Sequence, residues 1–224
     1  MTRARPVVAL DGPAGAGKST VARQVAEALG FVLVDTGALY RGIALAALER
    51  GVSWDDAEAL GELARTLPLG FDARGDLEID GVARGDDIRT PEVSQGASKV
   101  SAHPPVRDAL LGIQRDLGAE GGVVLEGRDI GTVVFPDAEV KIFLTASVEK
   151  RAERRMGDLE QRGMQADMAE LLEAIRERDH RDSTRAVAPL KPADDAEVLD
   201  TSELTFDEVV TRVVEIVRKT AQIA

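Results

Sequence analysis

The run Gly12-Pro13-Ala14-Gly15-Ala16-Gly17-Lys18-Ser19-Thr20 constrains this chain more than any other stretch. An apolar run, Val7 to Leu10, leads into it through Asp11. A helical pattern, Val21, Val25, Ala28 and Leu29, leads away, so the unit reads strand, loop, helix. Two glycines flank four residues, and a Lys-Ser pair follows. Glycine permits backbone angles that turn successive N–H groups toward one point, and the start of the helix adds its positive end. Anionic oxygens settle in such a nest. Lys18 is placed to reach the β and γ phosphates of a nucleoside triphosphate, and the hydroxyl of Ser19 or Thr20 to bind the Mg2+ that bridges them. A plain glycine-rich turn is the alternative, and the flanking strand and helix argue against it.

Further short apolar runs lie at Phe31–Val34, Val123–Leu125, Val140–Leu144 and Val198–Leu199, with helical stretches such as Gly37–Arg50 between them. This alternation predicts an α/β fold, a five-stranded parallel sheet covered by helices on both faces. The stretch Pro68–Arg89 breaks the rhythm. Turn signals at Asp72-Ala-Arg-Gly75, Asp80-Gly81 and Gly85-Asp86 separate short alternating segments and predict a small antiparallel appendage. Arg74-Gly75-Asp76 is read as a hairpin turn within it. Thr90-Pro91 caps a helix, and Val106–Leu117 forms another. The expected organisation is one domain, with a core of residues 1–66 and 118–224 and an inserted α+β subdomain at about 67–117. The last helix opens with the capping box Thr205-Phe-Asp-Glu208 and carries Val209, Val210, Val213, Val214 and Val217 toward the sheet.

With 224 residues, 44% of them hydrophobic, the chain can bury one full core. A net charge of −12 argues against a nucleic-acid partner, whose affinity needs many uncompensated Lys and Arg contacts. Zero cysteines exclude disulfides and thiolate chemistry and fit a reducing compartment. No apolar stretch reaches membrane-spanning length, and the expectation is a soluble, cytoplasmic monomer. His103 and His180 lack partners at metal-ligand spacing.

Within this acidic chain the arginines cluster. Arg178, Arg181, Asp182 and Arg185 are spaced to share one helical face, as are Arg151, Arg154 and Arg155. Either could be a solvated helix laced with ion pairs. A triphosphate and a monophosphate brought together, however, carry about six negative charges, which several guanidinium groups would have to offset.

These residues together resemble a known family. The loop at Gly12–Lys18, Asp35-Thr-Gly-Ala-Leu-Tyr-Arg41, Glu126-Gly-Arg-Asp-Ile-Gly-Thr132, Val133–Asp137 and Arg178–Leu190 look like the bacterial cytidylate kinases, in order through nearly the whole chain. The resemblance implies ATP as donor, Mg2+, and CMP or dCMP as acceptor. By position, Thr36, Tyr40, Arg41 and Arg128 would face the acceptor nucleotide and its phosphate. Ser98, Arg107 and Asp129 would read the cytosine, Arg178 and Asp182 would hold the ribose, and Arg185 would meet the phosphates. Lys18, Arg128, Arg151, Arg155, Arg178 and Arg185 would stabilise the transferring group. A lid at about 151–164 would close over ATP. Two positions depart from the family pattern. Ser19 follows Lys18 where many nucleoside monophosphate kinases have glycine, and Glu126 stands where the family often has aspartate; Glu126 would act on Mg2+ through water. A structural ion pair is the plainer reading of Asp129 and Arg107, and core packing that of Tyr40.

Two other functions compete. A kinase for another monophosphate or a small hydroxyl metabolite would share the loop, though a hydroxyl acceptor would need neither the inserted subdomain nor the second arginine face. A nucleotide sensor would bind without turnover.

Overall fold

Strand β1 (Val7–Asp11) is buried at every position, which explains why its sequence is an unbroken apolar run rather than an alternation. In the computed structural model, which describes residues 3–72, 74–161 and 163–223, β1 is the central strand of a five-stranded sheet. Its order is β2-β6-β1-β7-β8, with β2 at Val32–Asp35, β6 at Val123–Gly127, β7 at Val140–Thr145 and β8 at Glu197–Asp200. The strands are parallel, and each of the five apolar runs forms one of them. Asp11 lies opposite Gly127 of β6 and Phe143 of β7. Loops leaving β1 and β6 therefore start side by side at the carboxyl edge of the sheet, where ligands bind in open α/β folds.

Two compact units divide the chain: Met1–Leu33 with Glu120–Ala224, and Val34–Ala119. The first holds α1 (Lys18–Leu29), α6 (Val148–Gln161), α7 (Met168–Thr184) and α8 (Phe206–Ala221). Thr205 and Glu208 close the expected capping box at the start of α8. Val209, Val213 and Val217 are buried with Val8, Val25, Val140 and Ile142, and Val210 and Val214 flank them half-buried. Each fully buried valine contributes roughly 1.5 kcal/mol or more, enough to fix the helix to the sheet.

The second unit contains α2 (Thr36–Glu49), α3 (Ala57–Thr66), α4 (Pro91–Val100) and α5 (Pro104–Gly118). Thr90 caps α4 by accepting from the Val93 N–H at 3.2 Å. The expected appendage is a three-stranded antiparallel sheet of β3 (Leu69–Phe71), β4 (Leu77–Ile79) and β5 (Val82–Ala83). Asp72 closes the turn between β3 and β4, its carboxylate accepting from the N–H groups of Arg74 and Asp76. Ala73, within that turn, lies outside the described residues.

Helix α3 occupies a stretch where the sequence pattern announces no element. Asp56 caps it, and Leu60, Leu63 and Ala64 form its buried face. Gly61 in mid-helix weakens the pattern, but its lack of a side chain is what admits Pro105, whose Cβ would lie 2.5 Å from an added Cβ. Helices α2 and α3 belong to this unit, which starts well before the stretch 67–117 that the turn signals mark.

Candidate active site

The loop after β1 takes its shape from two glycines. Gly12 has φ 148°, and a Cβ there would collide with the Leu144 carbonyl oxygen. Gly17, at φ 87°, is the N-cap of α1 and supplies no side-chain hydrogen bond to it. The first N–H groups of α1 are thus left for an incoming acceptor, the arrangement that binds phosphate.

Lys18 is buried, and its Nζ donates to the Pro13 carbonyl at 2.8 Å. Burial lowers its pKa well below the usual lysine range. The guanidinium groups of Arg128 and Arg178 push the same way, while Glu126 and Asp11 oppose them. A buried ammonium facing two guanidiniums is a site that an added polyanion would relieve.

Of the two hydroxyls left open by the sequence, Ser19 is the one against a carboxylate: its Oγ donates to Glu126 Oε2 at 2.8 Å. Glu126 is itself buried, at the end of β6. A hydroxyl and a carboxylate make an oxygen-only donor set suited to a hard divalent cation. Ser19 and Thr20 are both exposed at the start of α1, so the Glu126 contact is what sets Ser19 apart. Among the described residues, neither histidine belongs to a cluster of three or more metal-ligating side chains.

Arg128 and Asp182 meet with Nε to Oδ2 at 3.2 Å, and Arg178 Nε lies 3.9 Å from the same oxygen. The helical spacing thus gathers Arg178 and Asp182 as expected, but not Arg185. Helix α7 ends at Thr184, and Arg185 has already left the helical conformation. Its side chain, 4% exposed, donates to Asp129 at 3.3 Å and to the Ala188 carbonyl at 2.6 Å. Ala188 has φ 51°, a conformation alanine rarely adopts, so the loop after α7 is held bent around this arginine.

The reading of Arg151, Arg154 and Arg155 as one cationic face also needs correction. Arg151 is buried, donating to the carbonyls of Ala146 and Ala14 and, in a fork, to Asp179 at 2.9 and 2.6 Å. Arg154 donates to Thr201. These two tie α6 to the phosphate loop, to α7 and to β8, because a guanidinium with five donors can satisfy several elements at once. Arg155 is half-buried on the same helix. With Arg151 and Ala152 buried, the first turns of α6 are anchored, so any lid starts beyond them. Arg162, in the expected lid, lies outside the described residues.

The remaining expected acceptor residues sit in the unit Val34–Ala119. Thr36 is buried at the start of α2. Asp35 caps that helix by accepting from the Ala38 N–H at 3.1 Å and also takes Arg41 at 2.6 Å. Tyr40 is buried, with the Arg107 guanidinium 5.6 Å from its ring centre. Arg107 also donates to the Ser101 carbonyl at 3.3 Å, and Ser98 is buried on α4.

One buried group goes beyond what the sequence pattern implies, in which Asp11 only opens a turn. Its carboxylate accepts from the Ile130 and Gly131 N–H groups, each at 2.8 Å. Burial pushes its pKa up to about 6 and Asp129 adds to this, against the two N–H groups and Lys18. The signal was a carboxylate ending an otherwise apolar buried strand, a position that demands partners.

Comparison with known proteins gives a consistent result. A sequence model of the cytidylate kinase family matches residues 8–219. A cytidylate kinase of Pseudomonas paraeruginosa is 52% identical over 96% of this chain and 96% of its own length. One from Paraburkholderia phymatum is 51% identical over 94% and 92%. A bifunctional pantoate ligase/cytidylate kinase of Synechocystis is 49% identical over 96% of this chain and 43% of its own length. Among solved structures, a gluconokinase from Sinorhizobium meliloti superposes with a TM-score of 0.50 at 19% identity, covering 99% of this chain and 96% of its own. A shikimate kinase from Bacteroides thetaiotaomicron also gives 0.50, at 14% identity over 95% and 98%. Those two show the shared kinase fold. No helix among the described residues is long and apolar enough to cross a membrane.

Proposed function

From the premise that this chain belongs to the cytidylate kinase family, we propose that it transfers the γ-phosphoryl group of ATP to CMP and dCMP, forming CDP and dCDP. The observation that carries the reading is Lys18, buried at the mouth of the phosphate loop with the charges of Arg128 and Arg178 bearing on it. Such a site favours densely charged ligands over neutral ones.

The loop N–H groups and Lys18 hold the donor phosphates. Arg128 and Arg178, oriented through Asp182, offset charge on the transferring group and its acceptor. The acceptor phosphate is already largely ionised near neutral pH, so no general base is required. Ser19 and Glu126 are the residues that would hold Mg2+, which when bound neutralises charge on the donor oxygens. Each unit carries its own proposed acceptor contacts: Thr36, Tyr40, Arg41, Ser98 and Arg107 in one, Arg128, Asp129, Arg178, Asp182 and Arg185 in the other. Arg155 and the later part of α6 form the proposed lid over ATP. Arg151, through its bonds to Ala14 and Asp179, steadies the loop on which transfer depends. The working form is taken to be a cytoplasmic monomer.

Initial rates of ADP release with CMP, dCMP, UMP, AMP and shikimate test the assignment. CMP and dCMP should lead by a wide margin. A lead for shikimate, or for any purine nucleotide, would refute it.

A further inference from the structure

Chain leaving β6 passes through Arg128 and Asp129 into a single π-helical turn, Ile130–Val134. The first N–H groups of any helical turn lack internal partners, and an aspartate placed as Asp129 is normally the group that caps them. Asp129 does not. Its side chain makes no cap hydrogen bond, and its carboxylate lies against Arg185 instead. The cap comes from another strand: Asp11 accepts from Ile130 and Gly131 through its two oxygens, one N–H each. Asp11 is the last residue of β1, directly before the phosphate loop and in register with Gly127.

We infer that Asp11 is a positioning residue for the acceptor nucleotide: by capping the 130–134 turn in place of Asp129, it leaves the Asp129 carboxylate directed at Arg185 and the acceptor. This rests on the proposed role of Asp129. The ends of both loops are thereby joined through one buried carboxylate, so the acceptor-binding Arg128-Asp129 pair is referenced to the phosphate loop itself. The charged groups facing Asp11 are Asp129 from the turn and Lys18 from α1. The stem of Lys141, on β7, packs against Gly131. Its ammonium is held by Asp195 and the Pro136 carbonyl.

Asp11→Asn keeps the shape but turns an NH2 toward one of the two N–H donors, so one bond is lost and the turn loosens. The test is steady-state kinetics for Asp11→Asn, Asp129→Ala and the double variant, with KM measured separately for CMP and ATP. Losing one charged hydrogen bond should raise KM for CMP about tenfold with Asp11→Asn, and change that for ATP less than twofold. In the Asp129→Ala background, Asp11→Asn should add almost nothing to the CMP effect. Gly131→Ala crowds the same turn, its added Cβ lying 3.2 Å from the Lys141 stem and 3.5 Å from Asp11 Oδ2. It should give the same CMP-selective loss, and it stands in should Asp11→Asn fail to fold. An Asp129→Ala variant with unaltered CMP kinetics refutes the role of Asp129, whatever Asp11 does. If Asp129→Ala weakens CMP but Asp11→Asn and Gly131→Ala do not, or weaken ATP equally, the positioning role is overturned.

Discussion

Replacing Asp11 by asparagine should make the protein relatively more stable as pH rises. In the folded chain this carboxylate holds its proton up to about pH 6, against an ordinary value of 3.8, because burial outweighs the two N–H bonds it accepts. Between those values the folded state binds more protons than the unfolded state, so the group's contribution to stability falls as pH increases. It falls by about 3 kcal/mol, two pH units at 1.36 kcal/mol each, and is flat above and below that window. The asparagine side chain cannot ionise. The stability difference between wild type and Asp11→Asn should therefore move by about 3 kcal/mol in favour of the variant from pH 4 to pH 7. Urea unfolding of both proteins across that range, followed by far-UV circular dichroism, measures it. Fluorescence would not serve, since Trp54, the only tryptophan, lies in the other unit. A difference that stays constant with pH, or moves toward the wild type, would refute the argument that burial dominates at Asp11.

Lys18→Ala should cut turnover about a hundredfold or more while leaving the unfolding curve nearly unchanged, because it removes one charge stabiliser from a buried site. Ser19→Ala should raise the Mg2+ concentration for half-maximal rate about tenfold, and an unchanged requirement would remove Ser19 from the metal's surroundings.

Patterns set by short-range physics were readable in the sequence. The buried strand Val7–Asp11 needs apolar residues, the bend at Gly12 tolerates no Cβ, and the caps at Thr90 and Thr205 announce helices. Helical spacing also joined Arg178 to Asp182. It failed at Arg185, where a face argument assumes a helix that had already ended at Thr184. It failed again at Arg151, because an arginine spaced like its neighbours gives no sign of being drawn inward by carbonyls from Ala14 and Ala146. The Asp11 cap joins residues 119 and 120 positions apart, a pairing that exists only through the β1–β6 register. No local pattern carries that information, although a carboxylate at the end of a buried strand marks where to look.

The proposed reaction moves a phosphoryl group from ATP to the phosphate of a cytidine nucleotide. Incubating the protein with γ-32P-labelled ATP, Mg2+ and CMP, and locating the label, addresses this directly. Label is expected in CDP, on its terminal phosphate, with that product lost in Lys18→Ala. Label appearing only as inorganic phosphate, or on a hydroxyl acceptor while CMP stays unchanged, would contradict it.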